Sequence, residues 1–232
     1  MSTPLPAAVL FDMDGTLIDS EGLWLIAEQR TMAELGGSWT EADQAACLGG
    51  PLERVVDYMI ARARVERADA AEVAGLLLHH IEELFRSEPV IWRPGAVALL
   101  TQTRDRDLPT ALVTASWRRL IDAVHMSMVR EFGADPFDLI VGGDEVTHSK
   151  PHPAPYLHAA ERLGVQPTQC LAFEDSPTGI ASAAASGAGV VAVPHLAPAP
   201  DLPGVLVRDS LVGVDIGAVW GEVLAQTSRG SA

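Results

Sequence analysis

Short apolar runs alternate with helical patterns along most of this sequence, and that alternation limits the possible folds more than any other feature. Residues 7–11 (AAVLF), 109–113 (PTALV), 137–141 (FDLIV), 170–173 (CLAF) and 189–193 (GVVAV) are each too short for a helix, and most are bounded by polar residues. They read as buried strands, with residues 205–207 as one more. Between them, residues 96–106, 117–131, 153–163, 177–186 and about 215–225 read as helices, two of them stopped by Gly164 and Gly187. Strand alternating with helix implies parallel strands joined by right-handed crossovers. The expected fold class is α/β, a doubly wound parallel Rossmann-like sheet.

One stretch breaks the alternation. From about residue 21 to residue 88 there are helical patterns and no strand signal. Residues 21–35 run to Gly36-Gly37, Thr40 suits an N-cap, and Gly49-Gly50-Pro51 breaks the next helix. Residues 52–64 and 68–85 follow. The latter keeps a 3.6-residue period through Val73, Leu76, Leu77, His80, Ile81, Leu84 and Phe85. The expected organisation is a core of residues 1–18 and 90–232 with an inserted all-helical cap, 19–89, hinged near 18–21 and 88–93.

Hydrophobic residues are 48% of the 232-residue chain and charged residues 20%, which permits a sizeable core and argues against global disorder. The net charge of −15 disfavours nucleic acid or an anionic membrane as partner. The N-terminal run has no basic flank and is cut short by Asp12, so neither a signal peptide nor an anchor is expected. Cys47 and Cys170 are far apart and in no metal-like spacing, so a reducing cytoplasm is the expected location.

The strand ends carry the chemistry. The first ends in Asp12 and Asp14, which extended geometry points the same way while Met13 points to the other side. The second ends in Thr114 and Ser116, another in Glu174 and Asp175, and Lys150 follows the 137–141 strand by one loop. Any one of these groups would ordinarily be a turn residue or a helix cap. Together they fall where doubly wound sheets bind ligands, outside the carboxyl ends of the strands. Several carboxylates with backbone carbonyls suit Mg²⁺. A carboxylate beside that ion can attack phosphorus, and a second can pass the proton. A lysine and a hydroxyl can hold the phosphoryl oxygens.

The segments DMDGT, LVTAS, SKPHPAPY and FEDSPTGI, in that order, resemble the haloacid dehalogenase superfamily of phosphohydrolases over nearly the whole chain. The helical insert resembles the small cap of its β-phosphoglucomutase-like branch. The resemblance implies Asp12 as nucleophile and metal ligand, and Asp14 as general acid and base with its carbonyl on Mg²⁺. It implies Asp175 and Glu174 at the metal, Thr114, Ala115, Lys150 and Gly15 around the phosphoryl group, and Trp24, Gly50, Arg54 and Trp117 as residues meeting the substrate. A small phosphorylated metabolite is the implied partner, and a monomer or weak dimer the implied state. The mutases of this branch carry a histidine where Trp24 falls and a cap arginine near Glu53. DSE-x-LW is similar to bacterial sugar- and hexitol-phosphate phosphatases instead. Phosphomonoester hydrolysis is therefore the leading expectation. A sugar phosphomutase is the alternative, and a silent phosphate-binding protein on the same fold is the third.

Overall fold

The computed structural model describes residues 4–47, 52–64 and 69–230. Among the described residues, six parallel strands form one sheet in the order β3-β2-β1-β4-β5-β6. They are β1 (Ala8–Phe11), β2 (Thr110–Val113), β3 (Leu139–Val141), β4 (Cys170–Glu174), β5 (Gly189–Ala192) and β6 (Val205–Val207). The alternation of side chains splits the sheet into two faces. Val9, Phe11, Leu112, Leu171, Phe173 and Val191 pack under α5 (Ala96–Asp105), α6 (Arg118–Phe132) and α9 (Ile216–Gly230). Ala8, Leu10, Ala111, Val113, Ala172 and Val190 pack under α7 (Ala154–Leu163) and α8 (Pro177–Ser186). With both faces covered, the strands need no polar side.

Register carries the functional residues together. Phe11 pairs with Leu112 on one side and Phe173 on the other, and the two phenylalanine rings stack at 5.4 Å. Asp12 therefore follows β1 level with the end of β4. The strand order reverses between β1 and β4, the place where such sheets open a crevice.

After β1 the chain turns tightly, with Gly15 N–H donating to the Ile18 carbonyl. Among the described residues, four helices follow: α1 (Glu21–Glu34), α2 (Glu41–Cys47), α3 (Leu52–Ala63) and α4 (Ala70–Ser87). The chain leaves and returns at one place. Asp19 N–H donates to the Ile91 carbonyl at 2.7 Å, and Arg93 N–H to the Leu17 carbonyl at 2.8 Å. An antiparallel bridge links Ile18 and Trp92 between them. Helix α4 starts at Ala70, two residues later than its periodicity suggests, because the Asp69 carboxylate caps it by accepting from Ala71 N–H. His80, read from the sequence as part of the apolar face of α4, instead faces Glu34 of α1, with Nε2 2.8 Å from its carboxylate. Single-turn 3₁₀ helices at Gly143–Glu145 and Pro167–Gln169 stand in the loops. Among the described residues no helix is long and apolar enough to cross a membrane.

Candidate active site

Lys150 organises the ends of three strands. Its Nζ donates to Asp12 Oδ1 at 2.7 Å, to Glu174 Oε1 at 2.6 Å and to the Val113 carbonyl at 2.8 Å. The side chain is 4% exposed. Burial alone would lower its ammonium pKa, but the Asp12 and Glu174 carboxylates outweigh that and hold it well above the ordinary lysine range. Tyr156 on α7 donates its hydroxyl to the same Glu174 oxygen at 2.7 Å, and Lys150 Nζ sits 5.2 Å from its ring centre.

Asp14 is clamped. Ser20 Oγ donates to one carboxylate oxygen at 2.6 Å, and Ser116 Oγ to the other at 2.8 Å. Burial raises its pKa, the Ser20 bond opposes that, and the Asp12 charge adds to the rise. A carboxyl held above its ordinary range is suited to carrying a proton. Thr114 is buried at the end of β2, where its Oγ1 accepts from Ser116 N–H at 3.0 Å. Ala115, beside it, is exposed in the cleft.

Asp175 is buried and takes the Thr16 hydroxyl at 3.1 Å. Burial, then the Asp12 and Glu174 charges, push it up to about 8. Two glycines make this packing possible. A Cβ on Gly15, at φ +81°, would overlap the Asp175 carboxylate, and one on Gly179 would overlap that of Glu174. Carboxylate oxygens of Asp12, Glu174 and Asp175 lie within 4.8 Å of one another. With Asp14 close by, four carboxylates face the single ammonium of Lys150. An all-oxygen, buried donor set with excess negative charge fits a hard divalent cation.

The cleft above this cluster has a volume of about 720 Å³. Trp24 and Trp117 line it, as do Asp14, Ala115, Ser116 and Lys150. Arg54, expected to meet the substrate, is not among the lining residues. It is exposed on α3, and its Nη2 donates to the Ala46 carbonyl at 2.8 Å. The reason is local: Ala46 lies in the last turn of α2, whose carbonyls lack helical partners. Gly50 lies outside the described residues.

Several groups of this site were not legible as such. Ser20 and Tyr156 gave no signal, since Ser20 reads as a helix cap and Tyr156 as a core aromatic. Glu28 is a third: it lines the cleft, is 5% exposed, and accepts from Trp39 Nε1 at 2.8 Å. Burial raises it to about 7 from an ordinary 4.5, with the Trp39 bond opposing and the Glu21 charge assisting. Between those two pH values the folded chain holds a proton that the unfolded chain has lost, so stability falls as pH rises through the window. Glu28→Gln removes this dependence. Its unfolding midpoint is expected to gain on the wild type from about pH 4.5 to about pH 7 and to keep a constant lead above, as thermal melts across that range will read.

Fold and site together define an α/β enzyme whose clustered carboxylates and lysine gather at the switch point of a doubly wound sheet. Residues 9–193 match the family described as haloacid dehalogenase-like hydrolase, and this chain belongs to it. Hexitol phosphatase B of Escherichia coli is 34% identical over 198 residues, which are 84% of this chain and 86% of that protein. Protein CbbY of Rhodobacter capsulatus is 33% identical over 192 residues, 81% of this chain and 85% of that one. The crystal structure of CbbY from Rhodobacter sphaeroides in complex with phosphate superposes with a TM-score of 0.74 at 26% identity, over 90% of this chain and 96% of that one.

Proposed function

We propose that this chain is a Mg²⁺-dependent phosphatase that hydrolyses a small phosphomonoester, a sugar or polyol phosphate, through an aspartyl phosphate. The observation that carries the reading is the contact of Lys150 with both Asp12 and Glu174, beside an Asp14 held by two serines. Kinship with a hexitol phosphatase supports the substrate class.

Asp12 attacks phosphorus, and the bond from phosphorus to the ester oxygen breaks. Asp14 gives its proton to the departing alkoxide. Asp14 then takes a proton from water, which attacks the phosphorus of the aspartyl phosphate. The bond from phosphorus to the Asp12 oxygen breaks, releasing phosphate and restoring the Asp12 carboxylate and the protonated Asp14. Lys150 meets charge on the phosphoryl oxygens, with Thr114, Ala115 and Gly15 shaping that end of the cleft. Asp12, Asp175, the Asp14 carbonyl and Glu174, directly or through water, would hold Mg²⁺. When bound, that ion neutralises the clustered carboxylates and draws charge from the phosphoryl oxygens. Residues 19–89 act as the cap, turning about the paired segments near 18–21 and 88–93 to exclude water. A cytoplasmic location suits buried Cys47 and Cys170, which form no disulfide.

The test is phosphate release over a panel of sugar, polyol and nucleotide monophosphates, with Mg²⁺ and then with excess chelator. Release from sugar or polyol phosphates that chelator abolishes and Mg²⁺ restores is the expected result. Conversion of β-glucose 1-phosphate to glucose 6-phosphate with little free phosphate would overturn the reading in favour of a mutase. Metal binding with no turnover of any substrate would favour a silent binding protein.

A further inference from the structure

Resting on the phosphatase reading, we propose that Glu28 is a specificity-determining residue: its carboxylate accepts hydroxyl hydrogen bonds from the neutral body of a monophosphate and repels any substrate carrying a second anionic group.

Placement is the first support. Glu21, Trp24 and Glu28 stand at i, i+3 and i+7 on α1, and all three line the cleft. Seven residues span about 10 Å of helix. Glu21 lies close enough to Asp14 to feel its charge, so the strip starts at the reacting end and Glu28 marks the far end. Orientation is the second. Trp39 is buried, packs edge-on against Tyr58 with ring centres 5.5 Å apart, and ties down one oxygen of Glu28. The indole N–H can only donate, so the oxygen it holds is an acceptor, and above about pH 7 the other is one too. Among the described residues, Trp39 is the hydrogen-bond partner of Glu28, and the second oxygen has none.

Charge is the third. The described residues lining the cleft include Glu21, Glu28 and Glu53, and their one cation is Lys150, at the reacting end. A second phosphate or a carboxylate on the substrate body would meet like charges with nothing to pair it, which disfavours its binding. Hydroxyls meet acceptors in Glu28 and Gln44, and a sugar face or carbon chain meets Trp24 and Trp117. A buried carboxylate without a cation is costly, and anchoring Trp39 alone would need only a neutral acceptor.

That last point gives the test. Glu28→Gln keeps an acceptor for Trp39 and removes the charge. Fructose 6-phosphate and fructose 1,6-bisphosphate are compared by kcat/KM in the wild type, in Glu28→Gln and in Glu28→Lys, with Mg²⁺ present and at a pH well above 7, where Glu28 is ionised. The wild type is expected to prefer the monophosphate by about tenfold or more. Glu28→Gln is expected to cut that preference by about tenfold, through a higher KM for the monophosphate and a lower one for the bisphosphate. Glu28→Lys is expected to cut it further. An unchanged preference in both variants overturns the proposal, as does a loss confined to kcat and equal for both substrates, which marks a purely structural residue. A wild type that uses the bisphosphate equally well also overturns it and leaves the phosphatase reading standing. No phosphate from either substrate, nor from acetyl phosphate, overturns both.

Discussion

Asp12→Asn is expected to lower phosphate release by about a thousandfold or more, because it removes the attacking oxygen and not a supporting contact. The change is isosteric, and Asp12 already receives Lys150 on one oxygen at 2.7 Å. An amide oxygen can still accept that bond, so the chain is expected to fold. What is lost is a nucleophile: an amide neither attacks phosphorus nor carries a phosphoryl group. The second readout is covalent. Acid-quenched wild type turning over substrate is expected to show a phosphoryl adduct on the segment holding Asp12 by mass spectrometry, and the variant none. A variant retaining wild-type turnover would remove Asp12 from its assigned role. An adduct found on Asp14 would exchange the two carboxylates.

Lys150→Met is expected to hurt both activity and stability, and the two losses have one origin. Activity is expected to fall by about a hundredfold or more, the scale set by losing a fixed donor to transition-state charge. Folding is expected to lose about 3–5 kcal/mol, because Asp12 and Glu174, both buried, then face each other and Asp175 without a cation. Urea unfolding in chelator measures this. Added Mg²⁺ is expected to recover part of the loss, since a cation bound only by the folded chain stabilises it. Unchanged stability in chelator would mean that Lys150 does not compensate the cluster.

The parts of the site written at strand ends were legible, and the physical reason is periodicity. A buried strand of four or five residues must stop where polarity begins, so DMDGT, LVTAS and FEDSPTGI announce themselves. The sheet order was not legible. Parallel strands follow from alternation, but that β1 lies between β2 and β4 depends on packing. Contacts across long sequence separations were equally hidden: nothing local ties Ser116 to Asp14, or Tyr156 to Glu174. Helix α1 shows why the cleft wall escaped notice. Its buried residues include Glu28 and Thr31 beside Ala27 and Met32, so it carries no clean apolar stripe from which to read a face. A helix that breaks local pattern in this way is doing something besides packing. Arg54 shows the opposite case, in which a charged residue near the expected place pairs with the Ala46 carbonyl, a contact no sequence pattern announces.

The pairing of Leu17–Asp19 with Ile91–Arg93 has a consequence for how such a chain can change. Because exit and return are hydrogen-bonded to each other, everything between them is, to the sheet, one long hairpin loop. Closing a longer excursion costs the sheet little, since doubling a flexible loop adds only about 0.6 kcal/mol of closure cost. The excursion can be lengthened, trimmed or swapped for another of different shape while Asp12, Lys150 and Asp175 keep their places. On the function proposed above, chemistry and choice of substrate are thus largely separable, joined at a seam a few residues wide and at Ser20, which holds Asp14.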